Sequence, residues 1–470
     1  MGALLTVRSI DGAETALTGI LGSRWVCRAP RDLAAYSYDA TGAKYSPDMV
    51  VFPSTTEQVV ACVRAAGHHG MPVIPRGAGT NVSGGTLPVS GGMVVDLARM
   101  NKVKRVDPVA RLGLAEAGAT NEALQLTAAP FGMFFPPDPS TLRVATLGGN
   151  LAENAGGPRC AKYGVTSNHV LGLTMVLSDG SVIEVGGEVE DPAGLDLLGF
   201  VVGSEGTLGI ITEAVLRLMR LPRGYRTMLA VFGDLRTAMG AVSGIVAAHI
   251  VPAAMELLDR NLIEVIRAGS GSALPAGAAA VLLIEVDGDP EELEAQAERI
   301  EAVCRTFGAL DFTLARTEED REALWVARRS AAGSLARISP AQFAMDVTVP
   351  RDRLQEMMEE VVGIGERHSL KVYVGAHAGD GNMHPAIPYD PRDKELRERI
   401  EAFDWDVQQA CLRLGGSITG EHGVGIEKLK GLASQYGADA LERMWAVRKA
   451  FDPALLFNPG KALVDPARGW

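Results

Sequence analysis

Five cysteines are spread over 470 residues, and no two of them form a Cys-x-x-Cys pair. A cysteine-ligated iron–sulfur cluster and a disulfide framework are therefore both excluded as organising features. Positive charge is also short: 45 Lys and Arg stand against 57 Asp and Glu, a net charge of −12. That balance argues against nucleic acid or an anionic membrane as the main partner, and an acidic substrate would need a local cationic anchor. No uninterrupted apolar run is long enough to span a bilayer, and charges interrupt the apolar residues of the first 22 positions, which carry no secretory pattern. A cytoplasmic location is the expectation, with contact to the inner face of a membrane only through a partner. No internal repeat is evident.

Hydrophobic residues make up 47% and charged residues 22%, as in a soluble globular protein, and the length calls for two or three domains. The 54 glycines fall largely in clusters, which points to backbone brought close to a ligand. Residues 1–45 read as a helical lead-in. Val50-Val51-Phe52, Val73-Ile74-Pro75 and Met93-Val94-Val95-Asp96-Leu97 read as short strands, with a capped helix over 54–68. Leu221-Pro222-Arg223-Gly224 is the expected boundary. Beyond it, strands over 226–232 and 279–286 alternate with helices over 235–248, 290–307 and 318–336, the pattern of an α+β domain with an antiparallel sheet. Helices over 395–414 and 438–451 follow. The expected organisation is a lead-in (1–45), a first domain (46–222), a second (223–415) and a C-terminal segment (416–470).

The octapeptide His377-Ala378-Gly379-Asp380-Gly381-Asn382-Met383-His384 carries a specific geometry. Asp380-Gly381 predicts a two-residue hairpin turn. Counting outward, Gly379 opposes Asn382, Ala378 opposes Met383 and His377 opposes His384. Opposed side chains share a face with Cβ atoms about 4.5–5.5 Å apart, so the two imidazoles could converge on one metal ion. A surface hairpin with two incidental histidines is the plain alternative. Gly420-Glu421-His422-Gly423 supplies a carboxylate and a third imidazole between glycines. Glu421 would complete a His₂Glu site with open positions, provided that the glycine-flanked backbone bends. A capping Glu-His in a loop is the alternative there.

Arg76-Gly77-Ala78-Gly79-Thr80-Asn81 follows a strand but fails the dinucleotide fingerprint, because Val82 stands where a third glycine is needed and Pro88 stops a helix. No Gly-Lys-Ser/Thr follows, so it is not a Walker loop. Its N–H groups could still cradle a pyrophosphate. Pro136-Pro137-Asp138-Pro139-Ser140, Thr146-Leu147-Gly148-Gly149-Asn150 with Glu153-Asn154-Ala155-Gly156-Gly157, and Gly203-Ser204-Glu205-Gly206-Thr207-Leu208-Gly209 repeat the pattern. Four such stretches are hard to explain as turns alone.

Together these motifs resemble the FAD-binding domain of vanillyl-alcohol-oxidase type flavoproteins. From about Asp39 to Leu463 the chain resembles the FAD-linked D-2-hydroxyacid dehydrogenases and the glycolate oxidase catalytic subunits. The implied fold is α+β: a PCMH-type FAD-binding domain of two subdomains plus a cap domain with an antiparallel sheet. The implied FAD is noncovalent, since Thr80 stands where relatives with a histidyl flavin carry His. By resemblance, Pro75, Arg76, Gly77, Ala78, Gly79, Thr80 and Asn81 would wrap the pyrophosphate, and Pro137, Asp138 and Ser140 would line the nucleotide channel. Thr146, Gly148, Gly149, Asn154, Gly156 and Gly157 would approach phosphate or flavin. Glu205, Gly206, Gly209, Ile211 and Asn458 would complete the cofactor site, Ile211 through its backbone and Asn458 from the closing segment with Lys461.

The same resemblance places His377, His384 and Glu421 as ligands of a divalent metal, zinc or manganese, and His422 as the base. An imidazole with an unperturbed pKa near 6.5 suits that role. It assigns Arg328, in Leu324-Trp325-Val326-Ala327-Arg328, to the substrate carboxylate, with a solvated helix charge as the alternative. Asn382, between the histidines, would hydrogen-bond substrate or ligand. The implied reaction is oxidation of a 2-hydroxy acid, the α-hydrogen leaving as hydride to the flavin. Ala344 replaces the Lys of relatives acting on D-2-hydroxyglutarate, which favours glycolate or D-lactate. Electrons would pass to an iron–sulfur subunit or a quinone, and a homodimer is a candidate assembly. An alkyl-dihydroxyacetone-phosphate-synthase-like enzyme and a noncatalytic FAD-binding subunit are the competing readings.

Overall fold

Strands that are apolar on both faces build the first sheet. Met49–Val51 and Met93–Asp96 are buried at every position, and Val73–Arg76 at three of four. They run parallel in the order 49–51, 93–96, 73–76, with Val26–Cys27 added antiparallel at the outer edge. Parallel strands covered on both sides read as continuous hydrophobic runs, which is why the sequence shows them so plainly. The helix Thr56–His68 opens with the Thr55 hydroxyl accepting from the Gln58 N–H and sets Val59, Cys62, Val63 and Ala66 into the core. Phe457 extends the sheet by bridging Val73 in parallel. A second, antiparallel sheet runs 103–107, 112–116, 210–217, 170–176, 182–186.

The computed structural model describes residues 8–189, 193–270 and 274–466. Contacts divide the chain into two units: residues up to 155, 165–221 and from 421 onward form the first, and 156–164 with 222–420 form the second. The sequence reading kept 156–164 in the first domain. The segment groups with the second because the Lys162 ammonium and the Tyr163 hydroxyl both hydrogen-bond the buried carboxylate of Asp287, the latter at 2.7 Å.

The second unit carries an eight-stranded antiparallel sheet in the order 311–314, 224–232, 280–288, 254–259, 373–377, 382–389, 341–344, with 347–348 paired to 382–389. Alternate residues feed two separate cores. Met255, Leu257, Val374, Ala376 and Met383 enter one. Ala254, Leu258, Tyr373 and Ala386 enter the other, with Leu324 and Trp325 of the helix Glu318–Arg329. The period of two fixes the face of every other side chain on these strands. Glu256, His377, Asn382 and His384 all fall on the side of that helix.

Asp259 ends the strand Ala254–Asp259, and its carboxylate accepts from the Leu262 N–H at 2.8 Å. Burial raises this carboxyl to about 7, against the lowering effect of the backbone donors. In the unfolded chain it ionises near 3.9. Between those values the folded state holds a proton that the unfolded state has released, so this group's contribution to stability falls as pH rises through the window. Asp259→Asn keeps the accepting oxygen and removes the charge. It should raise the melting temperature at pH 8 by several degrees more than at pH 4.5, as calorimetry would show.

Candidate active site

The hairpin forms, but its turn is longer than the sequence count. His377 pairs with Asn382, Ala376 with Met383 and Gly375 with His384, which leaves residues 378–381 as a four-residue loop. Only Gly381, at φ +89°, takes a positive φ; Asp380 does not, so the type I′ turn is absent. Two interactions open the loop. The Ala378 N–H donates to Met255 O on the neighbouring strand, and the Asp380 carboxylate accepts from the Asn382 N–H. The register moves by two positions, and an even shift preserves the face. His377 and His384 therefore remain on one side as diagonal neighbours, their ring centroids 4.9 Å apart and the planes at 80°.

Glu256 lies directly opposite His377 on the adjoining strand. It is fully buried, and one carboxylate oxygen hydrogen-bonds His377 Nδ1 at 2.6 Å. The other accepts from Arg328 Nε at 2.7 Å. Burial pushes the Glu256 carboxyl up, but the charges and hydrogen bonds of His377 and Arg328 outweigh it and hold the pKa below the ordinary value. With Nδ1 held by a carboxylate, Nε2 is the His377 nitrogen that could take a metal, the usual arrangement behind a metal-bound imidazole. Among the described residues, Nη1 and Nη2 of Arg328 make no hydrogen bond. Arg328 is thus an anchored guanidinium with its terminal pair available to an anion.

Glu256 is absent from the sequence reading. Its signal is a lone acid in the apolar strand Ala254–Asp259, where only a paired charge is stable. Asn382 is buried, and among the described residues its Oδ1 has no hydrogen-bond partner. Asp346, fully buried, accepts from the Gly420 N–H at 2.7 Å and the Thr419 hydroxyl at 2.9 Å. A Cβ on Gly420 would come within 2.5 Å of Asn382, so only glycine lets the backbone lie against the hairpin here. Glu421 follows by one peptide, about 3.8 Å between Cα atoms.

In the first unit, Gly423 and Gly425 take φ of +83° and +52°. His422 Nε2 lies 4.0 Å from a Glu421 carboxylate oxygen, and the His422 carbonyl accepts from the Ser83 hydroxyl. A Cβ on Gly425 would fall 1.8 Å from Ser83 O. Glu205 fixes the same stretch, its two oxygens accepting from the Val424 and Gly425 N–H groups at 2.7 Å each. Its carboxylate is therefore committed to backbone. Burial, then the neighbouring Glu205, raise the Glu153 carboxyl well above its usual range. Lys461, bonded to Gly85 O and Asn458 Oδ1, is pushed down to about 7 by burial.

The glycine loops of this unit meet. A Cβ on Gly77 would lie 2.2 Å from Thr146 Oγ1, and one on Gly148 would lie 2.7 Å from Ala117 Cβ. Thr146 caps the helix Leu147–Glu153 by accepting from the Gly149 N–H. Arg76 is buried beneath the Gly79 turn, with Nη2 donating to Tyr38 O and, among the described residues, no partner for Nη1. Asn150 Nδ2 is likewise buried and unpaired. Two unsatisfied cationic or amide donors beside small-residue loops fit a group rich in anionic and carbonyl oxygens, as FAD is.

The remaining cofactor candidates divide by role. Pro75 borders Gly206, and Ala78 and Thr80 continue the loop from Gly77. The Pro137 carbonyl accepts from the Asn121 amide, fixing the turn that carries Asp138 and Ser140. Ile211 sits beside a β-bulge, where the ladder skips Thr212. A Cβ on Gly209 would meet Met175 and Val176 O. Other amides are committed within the protein: Asn81 Oδ1 accepts from Ser83 and Gly85, Asn154 Oδ1 accepts from Ser167, and Asn458 Nδ2 donates to Glu205 O and Gly85 O. Gly156 and Gly157 belong to the second unit.

Comparison with known proteins places a family boundary at the same point, residue 221. Residues 47–186 match the FAD binding domain family, and residues 221–462 match the C-terminal domain of FAD linked oxidases. The glycolate oxidase subunit GlcD of Bacillus subtilis is 41% identical over 435 residues, covering 92% of this chain and 93% of that protein. A D-lactate dehydrogenase of Archaeoglobus fulgidus is 33% identical, covering 91% and 95%. Among solved structures, p-cresol methylhydroxylase superposes with a TM-score of 0.82 at 18% identity, covering 97% of each chain, a likeness of fold. The chain belongs to the FAD linked oxidases, an FAD-linked oxidoreductase.

Proposed function

We propose that this chain oxidises a small D-2-hydroxy acid of the glycolate or D-lactate type to the 2-keto acid. FAD would be held noncovalently by the glycine loops, and a divalent ion, zinc or manganese, by His377, His384 and Glu421. The observation that carries the reading is the pair of histidines on the same face as Arg328, with Glu256 bonded to both His377 and Arg328. Bound FAD would supply the hydride acceptor, and the metal would lower the hydroxyl pKa and orient the α-hydrogen. Arg328 would take the substrate carboxylate through its terminal nitrogens, and Asn382 Oδ1 would accept from a substrate hydroxyl or a ligand. His422 would remove the hydroxyl proton at an imidazole nitrogen. Ala344, in the position where a distal carboxylate would want a cation, supports a monocarboxylate.

The bacterial relatives named as glycolate oxidase subunits support delivery of electrons to a partner, an iron–sulfur subunit or a quinone. Anaerobic mixing with a panel of D- and L-2-hydroxy acids tests the reading. Glycolate and D-lactate should bleach the flavin absorbance, L-lactate and D-2-hydroxyglutarate should do so at least tenfold more slowly, and a chelator should slow every substrate. Absence of bleaching with all of them would overturn it.

A further inference from the structure

Glu256 has a second consequence, which rests on the metal reading above. We propose that Glu256 is a positioning residue serving two binding functions at once: it sets the tautomer of His377 for metal ligation and holds Arg328 for the substrate carboxylate. The strand register places Glu256 directly opposite His377, so the two side chains meet without adjustment. The carboxylate is shared, Oε1 to Nδ1 of His377 at 2.6 Å and Oε2 to Nε of Arg328 at 2.7 Å. It is fully buried, whereas the Arg328 side chain keeps 17% exposure. The charged end that faces outward is the arginine, and the acid behind it has no other task in the proposed chemistry.

The carboxylate matters here because it accepts on both sides. An amide of the same shape cannot. In Glu256→Gln, if the carbonyl oxygen faces Arg328, the NH₂ donates to His377 Nδ1, and the proton moves to Nε2, where a ligand lone pair is required. If the oxygen faces His377 instead, two donors face each other at Arg328. Either arrangement costs one of the two functions, so a single isosteric change should move at least one of two unrelated measurements.

The test uses the full chain with its flavin. Zinc affinity, measured by chelator competition with no substrate present, should fall 10- to 100-fold in Glu256→Gln, the range for loss of a carboxylate behind a metal-bound histidine, or the KM for D-lactate at saturating metal should rise tenfold or more. Arg328→Gln should raise KM and leave zinc affinity within threefold, since Glu256 still holds His377. A measurement on the unaltered protein guards against misfolding of the variant. In the metal-free protein at pH 8.5, ¹⁵N-detected imidazole resonances, assigned by their loss in His377→Gln, should show His377 protonated at Nδ1. An Nε2–H tautomer there, or Glu256→Gln with unchanged zinc affinity and unchanged KM, overturns the proposal. Retention of wild-type zinc affinity by His384→Ala would instead overturn the metal reading itself.

Discussion

His384→Ala should lower turnover of glycolate or D-lactate by about 10³-fold while the flavin stays bound. Metal assistance contributes several kcal/mol to the transition state, and about 4 kcal/mol corresponds to three decades in rate. His384 shares the face of His377, 4.9 Å away between ring centroids, and opposes Gly375, so its ring has no side chain directly across the strand to take over its place. The truncation leaves the strand pairing intact and removes a half-buried ring, so the melting temperature should shift by only a few degrees. Steady-state dye reduction, bound-metal analysis and the flavin spectrum check this together. Unchanged turnover in a protein with a normal flavin spectrum would rule out metal assistance at this hairpin.

Gly77→Val should weaken FAD binding by about fivefold to more than a hundredfold. The reason is space, because Gly77 does not take a positive φ. Its added Cβ would fall 2.2 Å from Thr146 Oγ1, and the hydroxyl cannot retreat without releasing the Gly149 N–H that it caps. Thr146 Cβ and Cγ2 lie 3.3 and 3.5 Å from that added Cβ, so the two further carbons of valine crowd the same side chain. Overpacking a close-fitted site costs about 1–3 kcal/mol, which gives the stated range. Titration of FAD into apoprotein, followed by quenching of flavin fluorescence, measures it. An unchanged dissociation constant would show that the Gly77 loop is not where the cofactor lies.

The legible parts of the fold were those encoded in short windows. Strands buried on both faces appear as apolar runs, and the helix Ala438–Phe451 and the Thr55 cap were readable because helix periodicity and capping are local. The hairpin was readable as a hairpin, yet its register was not. Turn length depends on what pulls at the loop, and here the pull comes from Met255 on another strand more than a hundred residues away. The reading that the two histidines share a face survived only because the shift was even. Arg328 was readable as a cation in a motif; that its Nε is bound and its terminal nitrogens are not follows from Glu256, 72 residues earlier.

Several amides show the same boundary. From the sequence, Asn81, Asn154, Asn458 and Glu205 are polar groups in glycine-rich loops and look equally suited to a cofactor. In the folded chain each holds backbone, whereas Arg76 and Asn150 keep buried donors that find no partner among the described residues. The difference lies in partners that are up to 373 residues distant. By itself the sequence determined the α+β class, the glycine loops, the missing nicotinamide and cluster motifs, and the set of histidines, because residue type and local spacing carry these. The tertiary structure alone decided the hairpin register, the Glu256 link between His377 and Arg328, and which polar groups are already satisfied. Those depend on strand pairing and burial, which no short window of residues contains.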